Sequence, residues 1–166
     1  MLLFEEQLYV DMPESYQEMS QDRIDALYPY EVKQEIILEN TQTGSFCTFS
    51  LFEDQGIMDS QVEYAIHSIS KVVTRMYPSC LVEEAQTMDC SETFCGWFSF
   101  KTQGVDGELY NVMYVFPVNG HMMFGTMGCR MKDEQEKDLL MNILKSLKAQ
   151  KKKRKLQGWY ETGRIR

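Results

Sequence analysis

Residues 108–130 read ELYNVMYVFPVNGHMMFGTMGCR, two apolar runs joined by Asn119-Gly120. A two-residue type I′ turn favours that dipeptide, because both of its central positions need positive φ. Such a turn fixes the register. Phe116 then faces Met123, Tyr114 faces Gly125 and Val112 faces Met127 on one side of the ribbon; Val115 faces Phe124 and Met113 faces Thr126 on the other. Both sides are apolar, so the hairpin needs cover above and below. Pro117 has no N–H to give a ladder and must fall at a bulge, a strand end or an unpaired edge position.

The cover is legible on either side of the hairpin. Ser60 with Glu63 forms a capping-box pattern, and Val62, Ala65, Ile66, Ile69, Val73, Met76 and Tyr77 then recur at helical spacing until Pro78. A second such pattern, Asp133 with Glu136, opens a helix whose stripe is Leu140, Ile143, Leu144 and Leu147. CLVEEAQTMD (80–89) and FCGWFSFKTQG (94–104) read as strands ahead of the hairpin, and EVKQEIILEN (31–40) with SFCTFSLFE (45–53) as an earlier hairpin around the polar NTQTG. A short helix capped by Ser20 stops at Pro29, and LLFEEQLYVDMP (2–13) is a strand pair or one bent strand.

This order of elements, with LYPYEVKQEIILEN, SFCTFSLF, GWFSF, the 108–129 hairpin and a closing ILKSLK, resembles the PsbP-like superfamily, shared by the photosystem II extrinsic protein and a small Ran-binding nuclear import factor. The resemblance implies an α+β fold, an α/β/α sandwich whose central antiparallel sheet is covered by helices on both faces, over residues 1–149. It also implies a non-enzymatic accessory role exercised by docking to another protein. It carries no partner-binding residue onto a numbered position here.

The 166 residues carry 17 basic and 25 acidic side chains, a net charge of −8. The charge is unevenly spread. From Gln150 onward seven basic residues stand against Glu161, for +6, which leaves ten basic and twenty-four acidic residues upstream, for −14. A body that acidic repels phosphate backbones, so nucleic acid is an unfavoured partner except through the tail. The opening MLLFEEQ has neither a signal peptide's basic flank nor its apolar core, and no apolar run reaches membrane-span length. Five cysteines without a CxxC are the usage of free thiols in a cytoplasmic protein.

Catalytic, metal and cofactor readings find no pattern to rest on. Cys129 and His121 lie on one strand roughly 26 Å apart, at about 3.3 Å per residue, so they form no dyad. His67 comes with no nucleophile signature. Cys90 and Cys95 lack a second ligand pair at zinc spacing. Glu83 and Glu84, adjacent on an expected strand, should face opposite ways, as should Trp97 and Phe98. The hairpin methionines Met113, Met122, Met123, Met127 and Met131 are expected to fill core, with a soft-metal or adaptable surface as the other reading. The expectation is therefore no catalytic, cofactor or metal residue.

Residues 150–166 form a basic tail. Lys151, Lys152, Lys153, Arg154 and Lys155, followed by Trp159 and Tyr160, are the distinctive candidate contact. Three readings compete: docking to a protein partner, contact with an anionic membrane or nucleic-acid surface, and a solvated helix extension folded back on the chain's own or a neighbour's acidic body.

Overall fold

The computed structural model describes residues 1–28 and 36–151. Its centre is the hairpin read above. β8 (Gly107–Val118) pairs antiparallel with β9 (His121–Arg130) through Val118↔His121, Phe116↔Met123, Tyr114↔Gly125, Val115↔Phe124, Met113↔Thr126 and Val112↔Met127. Asn119 and Gly120 both hold positive φ, 51° and 80°, as a type I′ turn requires. Pro117 lies past the last pair β8 makes with β7 (Thr93–Gly104), Gly96↔Val115, so its missing donor leaves no gap in that ladder.

The large sheet has seven antiparallel strands in the order β3-β4-β5-β9-β8-β7-β6, with β3 (Gln17–Glu18), β4 (Ile36–Asn40), β5 (Ser45–Gly56) and β6 (Gln86–Cys90) completing it. α2 (Val62–Met76) packs on β6, β7 and β8; α3 (Glu134–Lys145) packs on the other face, against β6 and β9. Tyr114 and Val115, neighbours on β8 that point to opposite faces, are both 0% exposed. At β8 the sheet is dry above and below, the α/β/α sandwich that the sequence implies.

Under α3, Leu140, Ile143 and Leu144 meet Phe49, Tyr114, Phe116, Met123 and Met127. Under α2, Val62, Ile66 and Val73 meet Phe98 and Val115. Close approach is built in at two glycines. A Cβ at Gly125 would strike the Thr48 carbonyl oxygen and the Tyr114 ring, and one at Gly96 would stand 2.8 Å from Ile66 Cβ. Tyr114 in turn lies across β9 and donates its hydroxyl to Thr48 O at 2.8 Å.

Several expectations need correction. No Ser60–Glu63 box forms: Asp59–Gln61 is a short 3₁₀ turn, and the Gln61 side chain accepts the Met58 N–H at 2.8 Å, so α2 starts at Val62. Its apolar stripe outlasts its cover, leaving Met76 63% and Tyr77 53% exposed. α1 (Gln21–Leu27) keeps its Ser20 cap, which accepts from Arg23 N. Asp133 does accept the Glu136 N–H at 3.1 Å, but the Glu136 carboxylate turns inward instead of closing the box. The stretch 80–89 is regular strand only from Gln86, where β6 (Gln86–Cys90) begins; upstream, Val82 makes an isolated bridge to Phe100 and Glu83 N donates to Ser99 O.

The largest departure is at the end of α3. The helix stops at Lys145, where Ser146 donates its hydroxyl to Ile143 O at 2.6 Å and accepts the Asp11 N–H at 2.9 Å. The chain then runs extended as β10 (Lys148–Ala149), which joins β2 (Leu8–Tyr9) and β1 (Leu2–Leu3) in a second, three-stranded sheet. The basic run therefore does not begin as a continuation of that helix. Leu147, expected on the helical stripe, is buried from beyond the helix end.

Candidate interaction sites

Four of the five thiols, Cys47, Cys90, Cys95 and Cys129, are packed in the core beneath α3. Burial pushes Cys47 and Cys95 up, and pushes Cys129, beside the carboxylates of Asp133 and Glu136, up to about 12. Cys90 and Cys95 are diagonal neighbours across the β6–β7 ladder, and a hydrogen bond from the Cys95 thiol draws Cys90 below its ordinary value. Cys90 donates to the Leu144 carbonyl at 3.5 Å. His67 sits on α2, on the opposite side of the sheet from all four, so the fold does not bring it to these thiols. His121 opens β9 with its Nδ1 buried and unpartnered among the described residues. Met123 and Met127 are fully buried, and Met113 and Met122 pack on the α2 side, as core-filling predicts.

One buried carboxylate also belongs to this face. Glu136 Oε1 accepts hydrogen bonds from Ser45 Oγ at 2.7 Å and Tyr16 Oη at 3.2 Å, tying α3 to β5 and to the N-terminal segment. Burial raises the Tyr16 phenol above its usual range. Both donors are internal, and the group reads as a tie between layers.

Two of the surface grooves among the described residues bear on binding. The first, about 540 Å³, lies between α2 and the irregular 82–85 segment; Lys71 and Arg75 face Glu83 and Glu84 across it, with His67 alongside. The two glutamates thus share one groove, because the backbone there is not the alternating strand that would have separated them.

The second groove, about 630 Å³, lies beside a break in the pairing of β5 with β9. The β5–β9 register runs to Phe52↔Met122 and resumes only at Gly56↔His121, so residues 53–55 bulge away from the ladder. Glu53 and Asp54 on the bulge form one wall and Glu5 the other, over Phe4, Ile36 and Phe52. The Glu5 wall belongs to a turn in which Phe4, Glu5 and Glu6 all hold φ between 54° and 67°, a left-handed turn of non-glycine residues. The sequence carried no local signal for this groove.

Of the tail candidates, Lys151 is described and exposed, next to Gln150, whose N–H donates to Gln7 O at 2.7 Å. Lys152, Lys153, Arg154, Lys155, Trp159 and Tyr160 lie outside the described residues. Among the described residues no helix is long and apolar enough to cross a membrane.

No protein-family model and no curated protein matches this chain. Solved structures do. A crystal structure from Bacteroides thetaiotaomicron VPI-5482 superposes with a TM-score of 0.60 at 7% identity, covering 92% of this chain and 48% of that one, so this chain spans about half of the longer protein. The solution structure of cyanobacterial PsbP (CyanoP) from Synechocystis sp. PCC 6803 gives 0.59 at 10% identity, over 87% and 92% of the two chains. A point mutant of protein Mog1 gives 0.56 at 7%, over 90% and 94%. Likeness at such identities speaks to architecture alone. Taken with the two-faced hairpin and its pair of roofing helices, it establishes that this chain has the PsbP-like fold.

Proposed function

We propose that the chain is a non-enzymatic accessory domain that works by binding another protein, with residues 1–149 as the folded unit and the basic segment as its contact. The observation that supports this most is the double roofing of β8: with Tyr114 and Val115 both sealed, the recesses described are surface grooves and not a chamber within the sandwich. An accessory role is also what the resemblance to the PsbP-like superfamily implies. In this reading Lys151–Lys155 supply charge and Trp159 and Tyr160 the aromatic anchors that protein interfaces concentrate.

The test compares the full chain with one truncated after Ala149. Cross-linking in the native cell, followed by binding of the recovered partner in purified form, should show an interaction that the truncated chain loses. Sedimentation with anionic vesicles and with duplex DNA, at low and high salt, decides the other reading. Salt-sensitive co-sedimentation that truncation abolishes, with no protein partner recovered, would move the assignment to an anionic-surface binder.

A further inference from the structure

We infer that the groove beside the β5 bulge is an internal docking site for the chain's own basic segment. This concerns the free chain and stands whether or not the segment also meets a partner. Two independent features of the fold converge on it.

The first is delivery. β10 pairs with β2 in the register Lys148↔Tyr9 and Ala149↔Leu8, and the Gln150 N–H bond to Gln7 O carries that register one step further. Asn119, held at positive φ in the hairpin turn, donates to both Gln7 Oε1 at 3.2 Å and Gln150 O at 3.0 Å, so the exit path is fixed from the side as well. Lys151, the last described residue, therefore follows directly on the attachment of Gln150 to Gln7. Gln7 and Glu5 line the groove itself. The basic run thus begins at a residue joined directly to the groove's edge.

The second is the chemistry of the lining. Glu5, Glu53 and Asp54 present carboxylates on two walls, and among the described residues no lysine or arginine pairs with them. Between them lie the rings of Phe4 and Phe52, the latter 37% exposed. A lysine or arginine uses both kinds of surface at once: its head pairs with a carboxylate while its methylene stem, or a guanidinium plane, lies on the ring. Each exposed pair is weak alone. Tethering offsets that weakness, since a segment joined by one or two residues is present at an effective concentration of about millimolar.

Zero-length carbodiimide coupling of the purified full-length chain tests this, because it joins only carboxylates and amines already in contact. At low salt the expected products are amides between Lys151, Lys152, Lys153 or Lys155 and Glu5, Glu53 or Asp54, found in the monomer band. Their yield should fall about tenfold in roughly 0.5 M salt, where screening shortens the range of the attraction to a few ångström. A Glu53→Gln/Asp54→Gln chain should lower the tail's protection from trypsin about fivefold, while a Glu83→Gln/Glu84→Gln chain, altered in the other groove, should leave it unchanged. These substitutions are on exposed side chains, and an unchanged melting temperature verifies the fold. Tail coupling spread evenly over the acidic surface, equal effects of the two double variants, or products confined to a dimer band would each overturn the assignment.

Discussion

Beneath α3 the sheet meets a continuous apolar layer that the N-terminal segment helps to close, and its largest polar groups are tied in, Glu136 with Ser45 and Tyr16 and Tyr114 with Thr48 O. Trp97 Nε1, Thr93 Oγ1 and His121 Nδ1 have no hydrogen-bond partner among the described residues. Beneath α2 the sealed area is narrower, confined to where the helix crosses β6, β7 and β8. Away from that helix the same face carries polar cross-strand pairs, Thr48 with Thr126 at 3.1 Å and Asn111 with Thr102 at 2.9 Å. One face spends its chain on completeness of cover; the other relies on ladder contacts between strands and leaves the end of its helix in water. The contrast explains why interaction surfaces are sought around the rim and not within the sandwich.

The most severe way to break the α3 side is Gly125→Val. Its branched side chain has no space between Thr48 O and the Tyr114 ring, and an expected loss above about 3 kcal/mol would be read as a large drop in the urea midpoint or failure to fold. Gly96→Ala is the matched insult beneath α2. There the obstacles are two helix side chains, Ile66 and Val62, which can shift with their helix, so about 1–2 kcal/mol is expected. Equal losses would remove the asymmetry between the faces.

Glu136→Leu falls between these two. It leaves the hydroxyls of Ser45 and Tyr16 facing an apolar group, at a cost of about 2–3 kcal/mol in chemical denaturation. The buried thiols add a pH signature on the same side. Cys129, held at about 12 when folded, ionises near 9 once unfolded, so above pH 9 the unfolded state has released a proton that the folded state keeps. Stability should be insensitive to this thiol below that point. It should then fall with rising pH by up to about 1.4 kcal/mol per unit for each such thiol, and Cys129→Val should shallow the slope. The smallest effect belongs to the far end of α2: Met76→Lys should stay within about 0.5 kcal/mol, since that side chain is already in water.

What could be read from the residues follows how local its determinants are. The hairpin register was legible because Asn119-Gly120 sets it within two residues, and both helices showed through their spacing. The start of α2 was not, because Gln61 reaches back to the Met58 N–H and closes a 3₁₀ turn over Asp59–Gln61 ahead of the helix, which the Ser60–Glu63 spacing does not reveal. β10 is two residues long and its partner β2 lies at the opposite end of the chain, so no window of sequence contains the pair. The second groove was hidden for a similar reason. Residues 53–55 bulge only because the β5–β9 ladder lapses between Phe52 and Gly56, and that lapse is a property of two distant strands together. The tail's composition was obvious; its point of departure was not.

That point of departure has a mechanical consequence. A pull on the chain beyond Lys151 loads β10 first, and β10 is held by two strand pairs, the Gln150–Gln7 bond and the side chain of Asn119. Those few attachments can peel away in sequence while Leu144 and Ile143 stay sealed against the large sheet. Tension on the C-terminal segment would therefore release the small sheet from its edge before it reached the sandwich, giving the molecule a yield point well below that of its core.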